Sequence, residues 1–480
     1  MDRGYLISVD ESTIDRDQHI ILTYEVETTA GTTLGQIGEV IACDPTIGTW
    51  AVTRAETADI IEAYSGKLLL PLPAENKQSG VIRIAFPLRN IDPEIGGIPH
   101  LWAILGAPYT LRQIARLHLI NIDIPPSFLA HLPGPRFGIQ GIQEIVGLDE
   151  PRPLLATMLK PRTGLPALEY AGLALEAYRG GVDIIFDDEL MVSPEPAPLF
   201  DRVARIKAAA RQAEAETGLP KRYAANITSS VRYIRGIASE VENLGADFFY
   251  LNPMAAGLPV LEMLAADQDL HLPILCCRSG YGVLTRGQDG VAFFVLLKMA
   301  RFCGADAMHV GSIGGRLPHA IIGDDSQLRS RISWLRARSH RVHPSLPILS
   351  GGLHPGNLER NIQRLGRDVI VQAGSGVLAH PDGPRAGGKA MRDALNAVLA
   401  GVPCPEAARA SPELETALRR WGYLDEEGVH DLDALWAEPS PSASQVTIQT
   451  SGGAFVIGDV YTKGGDFIGR DQRRREEESE

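Results

Sequence analysis

From about residue 150 to about residue 402 the chain alternates short apolar runs with amphipathic stretches, about eight times over. Leu154–Leu159 is followed by Pro166–Tyr178, Val182–Phe186 by Leu199–Ala215, Arg222–Ile227 by Val231–Leu244, and Asp247–Leu251 by Leu258–Ala265. Leu272–Cys277 then leads into Gly290–Cys303, Ala305–Val310 into Ser326–Ser339, Leu346–Leu349 into Asn357–Leu365, and Asp368–Gln372 into Gly388–Leu399. The first member of each pair is a near-continuous apolar run, as a strand buried on both faces requires, and the second is helix-like. Strand–helix units in this number and length predict an α/β fold, a (β/α)8 TIM barrel. A doubly wound open sheet is the alternative, but count and length favour the barrel.

The flanks differ. In the first ~135 residues Ile20–Glu27, Ala51–Thr53 and Val81–Phe86 read as strands, and Leu34–Ile41 and Leu111–Leu117 as helices. We expect a small α+β, ferredoxin-like domain over 1–135, ending where Pro125-Pro126 and Pro133-Gly134-Pro135 punctuate the chain. The barrel would occupy 136–410. Short helices at Pro412–Trp421 and Leu432–Trp436 and a Pro/Ser linker at 439–444 would fill 411–445. The segment 446–480 holds two related runs, Gly452–Asp459 and Gly464–Asp471, each Gly-Gly, an aromatic, a β-branched residue and Gly-x-Asp. Two copies are too few for a solenoid, which leaves a flexible tail or an element that pairs with other chains. The charged end, Arg473 to Glu480, has a disordered composition.

A chain of 480 residues with 44% hydrophobic and 22% charged residues has material for more than one core. A net charge of −13 argues against nucleic acid or an anionic membrane as partner, so an anionic ligand needs a local cationic pocket. The five cysteines lack Cys-x-x-Cys spacing, which argues against a zinc site or a disulfide framework and for a reducing cytoplasm. The N-terminus has no apolar targeting core, and no run is long enough to span a bilayer.

Barrel sites lie at the C-terminal ends of the strands. In order, those ends carry Lys160, Asp187-Asp188-Glu189, Asn226, Asn252, Arg278, His309, Ser350-Gly351-Gly352 and Gly374-Ser375-Gly376. Any one of these has a structural explanation; a polar residue at nearly every end does not. Three adjacent carboxylates are costly unless they meet solvent, a cation or a substrate. The glycine turns after strands 7 and 8 let backbone N–H groups approach a phosphate, with Arg278 and Ser350 as further donors.

Several of these stretches resemble the RuBisCO large-subunit family. They are Leu159-Lys160-Pro161-Arg162-Thr163-Gly164-Leu165, Thr46-Ile47-Gly48-Thr49-Trp50, Gly180–Glu189, His309-Val310-Gly311, Ser350-Gly351-Gly352 and Gly374–Pro381. The match covers about residues 15–425. It implies one phosphate site at Thr49, Trp50, Gly352, Gly374 and Ser375, and a second at Arg278, His309 and Ser350, with Gly351 a further phosphate-binding candidate. Thr49 and Trp50 would come from the partner of a homodimer with shared active sites. Lys160 stands where the family has the lysine that removes a proton beside the substrate carbonyl; a phosphate or carboxylate clamp is its other reading.

The departures carry as much information. Phe186 replaces the lysine that CO2 carbamylates, so Asp188 and Glu189 would hold a hydrated Mg2+ weakly unless substrate oxygens complete the shell. Asp44, Ala107, Cys277, Tyr281 and Arg316 replace a glutamate, an asparagine, two histidines and the mobile-loop lysine. The chain is thus similar to the non-carboxylating, RuBisCO-like members called form IV. The resemblance implies a cytoplasmic enzyme that enolises a phosphorylated ketose or keto acid, for isomerisation, tautomerisation or decarboxylation. Lys160, Arg162 and His309 would be catalytic, with Lys160 and Arg162 stabilising the enolate if no metal binds. A catalytically silent barrel that senses a phosphorylated metabolite, with an assembly tail, is the alternative.

Overall fold

Alternation of buried and exposed residues builds the first sheet. The computed structural model describes residues 7–48, 53–72, 77–147, 152–314, 325–339 and 342–433. Strands β1 (Ser8–Asp10), β2 (His19–Thr28), β3 (Lys67–Leu70), β4 (Ser79–Pro87) and β5 (Ile114–Asp123) form a mixed sheet with β2 between β4 and β5. The helix Leu34–Cys43 buries Leu34, Ile37 and Ile41; its Thr33–Gln36 capping box satisfies two N-terminal N–H groups.

Eight parallel strands then close into a barrel. These are β6 (Leu154–Met158), β7 (Ile184–Phe186), β8 (Arg222–Asn226), β9 (Phe248–Leu251) and β10 (Ile274–Cys276), and, after the two-residue β11 (Gly290–Val291), β12 (Ala307–Gly311), β13 (Leu346–Ser350) and β14 (Ile370–Gln372). Strand β14 pairs with β6, so no edge is left. Alternate residues fill the interior: Leu154, Ala156 and Met158 from β6, Ile184 and Phe186 from β7, Phe248 and Tyr250 from β9. Ile142 and Val146 of the helix Gly138–Val146 join the same cluster.

Two expectations need correction. Leu111–Leu117 is not a helix; it runs into β5, which pairs with β2 through a shifted register and buries Leu117, Leu119 and Ile122. Strand pairing there outweighs helix propensity. The stretch Gly290–Cys303 is helical only from Phe293. Gly290 and Val291 instead add a parallel strand to the N-terminal sheet beside His118 and Leu119 of β5, joining that sheet to the barrel domain. A Cβ at Gly290 would stand 2.2 Å from the Leu284 carbonyl oxygen, and its φ of +122° suits glycine. Beyond the helix Pro412–Trp421 a short hairpin, Tyr423–Leu424 with Val429–His430, was not anticipated. The expected strand at Ala51–Thr53, the helix at Leu432–Trp436, the linker and the glycine repeats lie wholly or mostly outside the described residues.

Candidate functional site

The three carboxylates after β7 part company because successive residues leaving a strand point to different sides. Asp187 turns into the barrel wall. It takes two hydrogen bonds from Arg202 (2.9 and 3.0 Å), one from the Tyr223 hydroxyl (2.7 Å) and one from the Asn226 N–H (3.0 Å). Asp187 and Arg202 are both fully buried. Arg202 also donates to the carbonyls of Met191, Val192 and Ala197. Asn226 in turn donates to the carbonyls of Asp188 and Glu189, and Asn252 caps the short helix that follows it. These strand-end polar residues are structural: they hold the loop that carries the next two acids.

Asp188 is also fully buried, with one oxygen accepting the Leu190 N–H at 2.9 Å. Its other oxygen is ion-paired with the Lys160 ammonium, and Arg162 Nε lies 3.5 Å away. Arg162 also reaches Glu189 at 3.9 Å. Two carboxylates therefore meet two cations. Beside them the Phe186 ring packs edge-on to Tyr250 (centroids 5.2 Å apart) and to His309 (6.2 Å). Among the described residues no three of His, Cys, Asp and Glu converge as metal ligands would. The Phe186 ring offers no donor atom, and lysine and arginine already pair with Asp188 and Glu189, a set that does not fit a resident Mg2+.

Across the barrel mouth, His309 is buried between two hydroxyls. Its Nδ1 lies 2.7 Å from Ser350 Oγ and its Nε2 3.3 Å from the Tyr250 hydroxyl. Burial, with the neighbouring Arg278 charge, drives it down to about 3. The ring is therefore neutral near pH 7 and offers one donor and one acceptor rather than a positive charge. Burial likewise pushes the Cys277 thiol up to about 12, so it stays protonated.

A proton-linked prediction follows from His309. Its ordinary value is 6.5 and its folded value about 3, so between them the unfolded chain binds a proton that the folded chain refuses. The stability due to this neutral ring is fully present above about pH 6.5 and is lost as pH falls towards about 3. Between pH 7.5 and 5 the native chain should lose about 1–2 kcal/mol more than His309→Gln, read from urea midpoints. Equal losses would refute the assignment.

Arg278 is half-buried, and burial alone lowers its affinity for a proton. A Cβ on Gly311 would stand 3.4 Å from its Nη1, so glycine there lets the guanidinium lie along the end of β12. Just past the end of β13 the carbonyls of Gly351 and Gly352 are tied back by Ser312 and Asn357. Gly351 and Gly352 adopt φ of +105° and +89°. Gly351 N–H continues the β13–β14 ladder, whereas among the described residues nothing accepts the N–H of Gly352 or Gly374, which leaves two backbone donors open.

One cavity of about 1700 Å³ gathers most of the expected site. Lys160, Arg162, Glu189, Arg278, His309, Ser350, Gly351, Gly352, Gly374 and Ser375 all line it. Asp188 lies behind Lys160, buried rather than at the surface. Thr49, Trp50 and Arg316 fall outside the described residues. Sequence reasoning missed Tyr250, which reads as one more apolar strand residue, and Arg331, which lines the cavity from the helix Ser326–Arg336. For Arg331 the helical period was available as a signal; the direction of that helix was not.

A closed parallel barrel with an N-terminal mixed sheet and a mouth of cations, open N–H groups and paired acids defines the class. Two family descriptions match: ribulose bisphosphate carboxylase large chain, catalytic domain, over residues 138–421, and its N-terminal domain over residues 8–128. The chain belongs to the ribulose bisphosphate carboxylase large-chain family. It is 36% identical over 388 residues to the ribulose bisphosphate carboxylase of Pyrococcus abyssi, covering 80% of this chain and 89% of that one. Among solved structures, octameric Rubisco from Pyrococcus horikoshii, crystallised as a complex with sulfate ion, superposes with a TM-score of 0.79 at 33% identity, over 86% of this chain and 96% of that one. A rubisco-like protein (MtnW) from Alicyclobacillus acidocaldarius superposes with a TM-score of 0.75 at 30% identity, over 85% and 100%.

Proposed function

We propose that this chain is a RuBisCO-like enzyme of the non-carboxylating, form IV kind, which enolises a phosphorylated ketose or keto acid without a resident metal. The observation that carries this is the Lys160–Asp188 ion pair, flanked by Arg162, in a site where Phe186 packs on Tyr250. Phe186 has no amine to form a carbamate, and the two acids already hold two cations. The substrate's phosphate docks on Arg278, Ser350 and the open N–H groups of the glycine turns, which leaves its carbonyl end towards Lys160. Parting from Asp188 and giving its proton to solvent makes Lys160 a neutral amine. The C–H bond beside the carbonyl then breaks, the proton passes to Lys160 Nζ, and the electron pair becomes the enolate. The Arg162 guanidinium meets the enolate oxygen, a stabilisation worth several kcal/mol in a water-poor site.

The similarity to a rubisco-like protein supports this reading, and the similarity to an octameric relative supports assembly of copies. In the homodimer Thr49 and Trp50 of each chain complete the phosphate site of the other. Among the described residues no helix is long and apolar enough to cross a membrane. We place the protein in the cytoplasm, and the Gly452–Asp471 repeat as a candidate contact between copies.

The test is solvent-deuterium exchange into a panel of phosphorylated ketoses and keto acids, with EDTA or Mg2+ present. Exchange beside the carbonyl that EDTA leaves unchanged is the expected result, with no CO2 fixed into ribulose 1,5-bisphosphate. Exchange that needs Mg2+, or CO2 fixation, would overturn the reading. The Lys160–Asp188 pair also favours a second reading, because a tied lysine is an idle base. Tight binding of a phosphorylated ligand with no exchange across the panel would identify a sensor.

A further inference from the structure

The barrel mouth holds a second arginine that the phosphate site described above does not use. Arg331 lines the same cavity as Arg278. Its guanidinium lies over the Phe293 ring, 5.4 Å from the centroid, and donates to Gln327 Oε1 at 3.0 Å. Phe293 is itself braced by Tyr281, with ring centroids 5.5 Å apart. Other arginines of this helix are spent differently: Arg329 pairs with Asp325 at 2.6 Å, and Arg336 donates to the carbonyls of Leu365 and Asp368. Arg331 faces a ring and an amide, neither of which bears a charge.

Arg278 is in the same state, with no carboxylate partner among the described residues. The two cations also feel one another, since Arg331 is held below its ordinary value by burial and by the Arg278 charge. Holding two half-buried like charges in one cavity costs free energy until an anion meets both. His309, kept neutral, adds hydrogen bonding there but no charge. We propose that Arg278 and Arg331 together clamp a dianionic phosphomonoester, and that Arg331 selects a terminal phosphate over a carboxylate at that end of the ligand. One planar fork satisfies the two oxygens of a carboxylate; three terminal oxygens with two charges suit two forks. This rests on the phosphate reading of the site and adds to it a residue and a charge requirement.

Calorimetric titration of the full chain with inorganic phosphate at pH 8, and in parallel with acetate, tests the assignment. The binding event at issue is the one that Arg278→Gln removes. Arg331→Gln should weaken that event about ten- to a hundredfold, as loss of one charge-assisted contact implies, and should flatten its dependence on salt. Arg331→Lys, which keeps the charge and loses the fork, should fall between. Equal urea midpoints for Arg331→Lys and the native chain exclude a folding effect. If Arg278→Gln removes phosphate binding and Arg331→Gln leaves it unchanged, the clamp is overturned and the phosphate site survives. If neither variant changes binding, both fall. Acetate bound as tightly as phosphate would overturn the selectivity.

Discussion

Lys160→Met should cut deuterium exchange beside the substrate carbonyl by about a hundredfold to ten-thousandfold, the span that a positioned base contributes. Methionine keeps the apolar stem at the mouth and removes only the group that takes the proton. Phosphate affinity should hardly change, because the proposed phosphate contacts are Arg278, Ser350 and the glycine turns rather than Lys160. The loss therefore falls on turnover rather than on binding, read by NMR exchange rates at saturating substrate. Lys160→Arg separates the two readings of this residue. It keeps a cation against Asp188, yet a guanidinium does not give up its proton in a protein. A base is lost in both variants, whereas a clamp survives in the arginine variant. Exchange retained by Lys160→Arg would make Lys160 a clamp.

The barrel was legible in the sequence because its strands are buried on both faces, and that demand writes itself as uninterrupted apolar runs such as Leu154–Met158 and Leu346–Leu349. Strand β11 was not, because two residues carry no period and its partner, β5, lies some 170 residues earlier in the chain. Strand β5 was misread for a related reason: Ile114–Leu117 alone fits a helix turn as well as a strand, and pairing with β2 decides. Within the site, residue types at the strand ends were legible and their partners were not. Asp187 and Asp188 are neighbours in sequence with opposite fates, one facing Arg202 and the other Lys160. Lys160 was legible as a base or as a phosphate or carboxylate clamp; its ion pair with Asp188 was not. Phe186 was visible as a missing carbamate lysine, but its packing against Tyr250 and His309 needed the fold.

Arg202→Met should destabilise the chain by about 3–5 kcal/mol, the cost of removing one partner from a buried ion pair. The side chain sits on the helix Leu199–Thr217, has no solvent exposure and makes five hydrogen bonds, two to Asp187 and three to carbonyls of the loop 191–197. Methionine fills much of the volume but leaves the Asp187 carboxylate buried without a cation and three carbonyls without a donor. The urea midpoint should fall accordingly. Asp187→Leu combined with Arg202→Met should recover part of the loss, since a buried charge pair replaced by apolar groups of similar volume is often close to neutral. An unchanged midpoint in Arg202→Met would show that the pair contributes nothing. Where the double variant folds, its exchange activity becomes informative. Arg202 and Asn226 hold the backbone from which Asp188 and Glu189 project, so a loosened loop frees Asp188 from its fixed distance to Lys160 and Arg162. Turnover should then fall with phosphate affinity intact, because Arg278 follows β10 and Ser350 ends β13, and neither strand pairs with β7 or β8.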